Sequence, residues 1–273
     1  MSSVTDDIFS LGITPNKALG QNFLCDESAI AAIVGCAADP GLPVLEIGPG
    51  LGALTLPLAG KGLPLAAVEL DSVLAEVLRK KLAGAADAHI IQGDFLKTDL
   101  AYVHKLLGGG SITAVGNLPY YITSPICERL ILSSLPIQRM VLMMQREAAE
   151  RFFAKPCDKV YGPLSVMAQS LYDVNELLRL DPSSYYPQPE VSSTVIVLLR
   201  NGKTMPRLLP RLLKCAFAMR RKTLCNNLTA LGLTKPAAAE LIAEMGLGDS
   251  VRAEVVEPSA FEAMALRLED AAG

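Results

Sequence analysis

Asn117-Leu118-Pro119-Tyr120 is the stretch best suited to chemistry. It follows an apolar run, Ile112-Thr113-Ala114-Val115-Gly116, that reads as a short buried strand. An asparagine, a peptide carbonyl ahead of a proline and an aromatic ring at a strand end can grip a flat ring bearing an exocyclic amine. The Asn117 side-chain oxygen and the Leu118 carbonyl accept the two N–H groups, and the Tyr120 ring stacks on the base. Accepting both hydrogens pushes electron density onto a nitrogen that is otherwise a poor nucleophile. Asn and Pro are also ordinary turn formers, so the tetrapeptide by itself equally describes a strand-ending turn.

Three more short strands end in polar groups. Val44-Leu45-Glu46-Ile47 runs into Gly48-Pro49-Gly50-Leu51-Gly52, with a helical pattern from Leu54. Glycines at a strand-to-helix turn let backbone and ligand approach closely. Leu65-Ala66-Ala67-Val68 ends in Glu69-Leu70-Asp71, where an acidic side chain can hold a ribose diol. His89-Ile90-Ile91-Gln92 ends in Gly93-Asp94-Phe95, a carboxylate and a ring that can take the amino group and face of an adenine. Ligands bind at this carboxyl edge of an open parallel sheet. Gly48-x-Gly50-x-x-Ala53 with Glu69 also fits a dinucleotide fingerprint, so a nicotinamide-dependent dehydrogenase stands as a rival. Glu46 beside the glycines, which can orient the loop or face a cation, and the Asn117–Tyr120 group have no evident task in hydride transfer.

Asn117-Leu118-Pro119-Tyr120 together with Glu46-Ile47-Gly48-Pro49-Gly50-Leu51-Gly52 resembles S-adenosylmethionine-dependent adenine-N6 methyltransferases. Gly20-Gln21-Asn22-Phe23-Leu24, Tyr161 to Gln169, Tyr185-Tyr186-Pro187-Gln188-Pro189-Glu190-Val191-Ser192-Ser193 and Phe217 to Leu224 narrow the resemblance to the ribosomal RNA adenine dimethyltransferases. It runs from about Lys17 to the C-terminus. It is most similar to the housekeeping bacterial type, which acts on two adjacent adenines near the 3′ end of 16S rRNA in the small subunit. The resemblance implies S-adenosylmethionine as cofactor. Gln21, Asn22 and Leu24 close over its methionine end, Gly48 and Gly50 shape its loop, Glu69 holds its ribose, Asp94 with Phe95 its adenine, and Leu70 is a further cofactor-binding residue. Asn117 serves both cofactor and substrate. Tyr185 stands where a phenylalanine is usual and keeps a stacking face for RNA. Glu190 and Ser192 replace the usual lysine and aspartate. A non-catalytic assembly factor with the same fold is the alternative from another class.

The net charge of −3 gives no general adhesion to RNA, so contacts must rest on local cations. From Arg200 to Lys222 the chain carries Lys203, Arg207, Arg211, Lys214, Arg220 and Arg221 besides, and no acidic residue before Glu240. A helix drawn from Pro210 to Leu228 puts Leu213, Ala216, Phe217, Leu224 and Leu228 on one stripe. Arg211, Lys214, Arg221 and Lys222 fall opposite and are the expected phosphate contacts. Arg220 falls in the stripe and reads as a buried or snorkelling arginine bridging to the large domain.

Half the residues are apolar, which suits a globular chain. Six cysteines lack CxxC spacing and have only His89 and His104 as nitrogen companions, which argues against a metal site. Scattered thiols and the absence of a basic leader pattern or long apolar run point to a cytoplasmic, non-membrane protein. The expected fold is α/β: residues 1–200 form a doubly wound, seven-stranded class I methyltransferase (Rossmann-like) sheet, and 201–273 form a small all-helical domain that contacts the ribosome. The resemblance adds an antiparallel last strand. A monomer is expected.

Overall fold

Short apolar runs bounded by glycine and proline become buried strands. The computed structural model describes residues 4–16, 19–38 and 41–271. Its strands are β1 (Phe23–Leu24), β2 (Val44–Ile47), β3 (Leu65–Glu69), β4 (Ala88–Gln92), β5 (Ile112–Asn117), β6 (Ile137–Gln145), β7 (Tyr172–Leu180), β8 (Tyr185–Tyr186) and β9 (Ser193–Arg200). Seven form one sheet in the order β4-β3-β2-β5-β6-β9-β7. The pairs from β4 through β6 are parallel, and β9 runs antiparallel to β6. The direction of strand order reverses between β2 and β5, the switch point where open α/β sheets bind ligands. Gly116 permits this closeness, because a Cβ there would lie 2.6 Å from the Ile47 carbonyl oxygen.

Helices cover the sheet, and three of them start on aspartate caps. Asp26, Asp71 and Asp99 each accept two backbone N–H groups at the start of the helices Glu27–Ala37, Ser72–Lys81 and Leu100–Leu106. β1 and β8, unforeseen from the sequence, pair antiparallel, Phe23 with Tyr186 and Leu24 with Tyr185. Phe23 joins Ile8, Leu51 and Leu74 in a small apolar cluster, while Leu24 and Tyr185 belong to the main core.

The chain divides into two compact units, Met1–Ala149 with Asn175–Leu199, and Glu150–Val174 with Arg200–Gly273. The sequence boundary at 200 left Glu150–Val174 in the first domain. In the second unit the helix Pro163–Leu171 packs with Leu209–Ala216 and Pro258–Asp270. The Tyr161 hydroxyl donates to the Val256 carbonyl at 2.7 Å, and the Phe217 ring sits between those of Tyr161 and Phe261. These nonlocal apolar contacts draw the segment into the helical unit. Among the described residues no helix is long and apolar enough to cross a membrane.

Candidate active site

At the carboxyl edge of the first unit's sheet lies an open cleft of about 1020 Å3, its solvent-filled mouth included. All thirteen residues expected in catalysis or cofactor binding line it: Gln21, Asn22, Leu24, Gly48, Gly50, Glu69, Leu70, Asp94, Phe95 and Asn117 to Tyr120.

Gly48 and Gly50 have φ of +68° and +58°, the left-handed region that costs glycine nothing. A Cβ on Gly50 would also stand 3.1 Å from the Phe23 ring. Glu69 fastens this loop: one carboxylate oxygen accepts Gly50 N–H at 2.9 Å, the other Asp71 N–H at 2.8 Å. Burial raises the Glu69 pKa, and these N–H groups oppose the rise. Each oxygen keeps a further lone pair for a hydroxyl donor. Asp94 Oδ1 accepts Leu96 N–H at 2.9 Å, and its Oδ2 lies 3.5 Å from the exposed Lys97 ammonium. Phe95 is buried, with the Arg129 guanidinium 5.5 Å from its ring centre. Arg129 also donates to the Thr98 carbonyl, so the guanidinium braces the wall.

Glu46 is 1% exposed and its Oε2 has no hydrogen-bond partner among the described residues. Burial pushes its pKa up to about 8, and the Glu69 charge adds to the rise. Glu46, Glu69 and Asp94 are the only acidic or basic side chains among the described residues lining the cleft. Such a site is electrostatically matched to a cation.

The Asn117 turn is held at several atoms. Asn117 Nδ2 donates to the Asn22 carbonyl at 2.9 Å, which orients the amide and leaves Oδ1 as an acceptor. Leu118 N–H donates to the Met143 carbonyl at 2.9 Å. Thr123 donates to the Pro119 carbonyl at 3.0 Å. The Tyr120 hydroxyl meets Ser193 Oγ at 3.1 Å. Gln21 accepts Asn16 N–H at 2.7 Å and donates to Asp71 at 3.0 Å. Its amide therefore pins the 19–22 segment to the helix cap.

Sequence reasoning missed Phe23, Arg129, Ser193 and the exposed Tyr121 on the cleft's lip. Phe23 and Ser193 sit inside motifs it quoted; Arg129 and Tyr121 carried no signal of their own. Tyr185 is a correction. It is 2% exposed, packs in the core beside Leu24 and is not among the cleft residues. Pairing through β1 and β8 turns its ring inward, so it presents no stacking face to RNA.

In the second unit Arg211, Lys214, Arg221 and Lys222 are all exposed. The expected continuous helix ends at Ala216, and a second begins at Leu224 on a Thr223 cap. The wheel therefore breaks down beyond 216, and Arg221 and Lys222 lie on the intervening turn. Asn227 holds the turn by donating to the Ala216 and Met219 carbonyls. Arg220 is not buried. Its side chain is half exposed, donates twice to the Lys159 carbonyl at 3.1 Å and pairs with Glu254 at 3.6 Å.

Residues 12–270 match the family described as ribosomal RNA adenine dimethylase. The ribosomal RNA small subunit methyltransferase A of Desulfitobacterium hafniense is 39% identical over 269 residues, covering 96% of this chain and 95% of that relative. Its namesake from Lactobacillus delbrueckii subsp. bulgaricus is 41% identical over 261 residues, 90% and 88% of the two chains. Among solved structures, a dimethyladenosine transferase from Plasmodium falciparum superposes with a TM-score of 0.75 at 22% identity, covering 91% of this chain and 98% of that one. The 23S rRNA methyltransferase ErmE gives 0.65 at 25% identity, with 91% and 100% covered.

Proposed function

Because this chain belongs to the ribosomal RNA adenine dimethylase family, we propose that its cleft transfers methyl groups from S-adenosylmethionine to N6 of two adjacent adenines near the 3′ end of small-subunit 16S rRNA. One observation carries the reading. An acceptor turn for an aromatic amine and a carboxylate-lined cofactor cleft are the same site. Glu46, Glu69 and Asp94 with no lysine or arginine suit a cofactor bearing a sulfonium and an ammonium. The pyrophosphate of a nicotinamide dinucleotide would find no cationic side chain among the described residues lining the cleft.

The cofactor supplies a methyl group already activated on sulfur. Glu69 holds the ribose hydroxyls while fastening the Gly48–Gly50 loop. Asp94 and Phe95 hold the cofactor's adenine, and Gln21, Asn22, Leu24 and Leu70 close the site. Asn117 Oδ1 and the Leu118 carbonyl accept the target amine's hydrogens, and Tyr120, steadied by Ser193, stacks on the base. These acceptors strengthen their hold as positive charge develops on nitrogen, so alignment and electrostatics supply the catalysis. The methylated amine is acidic as a cation and releases its proton to water, which leaves no strong base to be found. For the second transfer Asn117 and Leu118 share one remaining hydrogen. Arg211, Lys214, Arg221 and Lys222 contact RNA phosphates. The enzyme works in the cytoplasm as a monomer without a metal.

Incubation with labelled S-adenosylmethionine and undermethylated small ribosomal subunits, followed by mapping, tests this. Label should appear as dimethyladenine at two adjacent positions near the 3′ end. Monomethyladenine as sole product, label elsewhere, or no transfer contradicts it.

A further inference from the structure

We propose that Tyr121 is a second stacking platform, holding the nucleotide that flanks the adenine under modification; the inference rests on the adenine-methylation reading above. Tyr121 is 55% exposed, yet it lines the same cleft as Asn117 and Tyr120. It sits in the short 3-10 turn Tyr120–Ile122, one Cα step of about 3.8 Å beyond Tyr120. Its ring edge faces Gly20. A Cβ there would lie 3.4 Å from Tyr121 Cδ1 and 3.9 Å from Pro119 Cβ. Gly20 has φ +63°, and its segment is anchored through Asn22 to Asn117 and through Gln21 to Asp71. The ring is therefore backed by a fixed surface while its remaining area faces solvent at the mouth. Its hydroxyl has no hydrogen-bond partner among the described residues, so what the site offers is the ring face.

The chemistry of the substrate explains such a face. Drawing one base into a cleft breaks its stacking with both neighbours. An aromatic ring at the lip restores stacking for one of them, and any base suffices because every base has a π face. With two adjacent target adenines, the base on Tyr121 can be the one awaiting or leaving modification. Tyr120 and Tyr121 thus divide the work, one for the reacting base and one for its neighbour.

The test compares wild type, Tyr121→Ala and Tyr121→Phe. It measures KM for undermethylated small subunits, methylation at each mapped adenine, and cofactor affinity by calorimetry. Tyr121→Ala should raise KM for the subunits about tenfold, the scale of one lost base–aromatic stack. Tyr121→Phe should stay within about twofold of wild type, and cofactor affinity should be unchanged in both. An unchanged KM in Tyr121→Ala overturns the proposal. So does a parallel loss of cofactor affinity, which would make the ring a cover for the 19–22 segment. A phenylalanine variant as impaired as the alanine one also overturns it, since the hydroxyl would then matter. Failure of wild type itself to methylate the subunits would instead refute the underlying reading, and this inference with it.

Discussion

In the cleft, Glu69 and Asp94 are held by backbone N–H groups and Asn117 by a carbonyl, with little freedom left. On the turn between Ala216 and Leu224, Arg221 and Lys222 stand in solvent, and the side chains fixing that turn are Arg220 and Asn227. On the proposed function the two regions have different tasks. Methyl transfer needs one atom placed against another, and misplacement by about 1 Å can cost a hundredfold. Adhesion to a polyanion needs charge at the surface, and an extended lysine or arginine finds its phosphate from many rotamers. Precision is built from buried hydrogen bonds in the one, reach from exposed stems in the other.

The sharpest way to break this contrast is Asn117→Ala. Removing an acceptor that strengthens as the nitrogen becomes cationic should lower the single-turnover rate about a hundredfold while subunit affinity stays near wild type. A near-normal rate at saturating subunits and cofactor would deprive the turn of its role.

Glu69→Ala should weaken S-adenosylmethionine binding at least about tenfold by calorimetry. Because Glu69 also holds Gly50 and Asp71, the melting temperature should fall as well. Unchanged affinity would make Glu69 a loop fastener only. For Arg221→Ala with Lys222→Ala, the log–log salt slope of subunit binding should flatten by about 1.5, as for two lost phosphate contacts. Calorimetry should give wild-type cofactor affinity for the same variant. A retained slope would move the RNA contact elsewhere.

The smallest effect concerns Glu46, whose pKa stands at about 8 against an ordinary 4.5. The folded, cofactor-free protein therefore holds a proton that the unfolded chain has released between those values. Stability from this group is full below about pH 4.5 and is lost as pH rises through 8. Melting temperature should drift down over that window, and Glu46→Gln should flatten the drift. A cationic cofactor favours the ionised carboxylate, so binding near pH 7 should release up to one proton, read from calorimetry in buffers of different ionisation heat. Equal proton release by wild type and Glu46→Gln would exonerate Glu46.

The same contrast governs what was legible in the sequence. The strands β2 to β5 and the cleft residues at their carboxyl ends follow from local signals, since an apolar run and the polar groups just after it stay together in any α/β sheet, whereas Gln21, Asn22 and Leu24 came only from the family resemblance. What escaped was set by distant contacts. β1 and β8 are two residues each and become strands only by pairing across a long sequence separation, Phe23 with Tyr186 and Leu24 with Tyr185, and that pairing buries Tyr185. Glu150–Val174 joins the helical unit through Tyr161 and the helix after it. The wheel from Pro210 failed because neither glycine nor proline marks the break at 217–223. The one local sign was Thr223, a helix cap read as helix interior.

The division between a placing region and a gripping region is tested most directly by competition. Wild-type enzyme and labelled cofactor are given a limiting pool of undermethylated small subunits, with an excess of one variant or the other. Asn117→Ala should inhibit, because it still occupies the subunit and cannot transfer. The Arg221→Ala, Lys222→Ala double variant should leave the wild-type rate nearly untouched. A folded Asn117→Ala protein that fails to compete, or a double variant that competes equally well, would contradict the account.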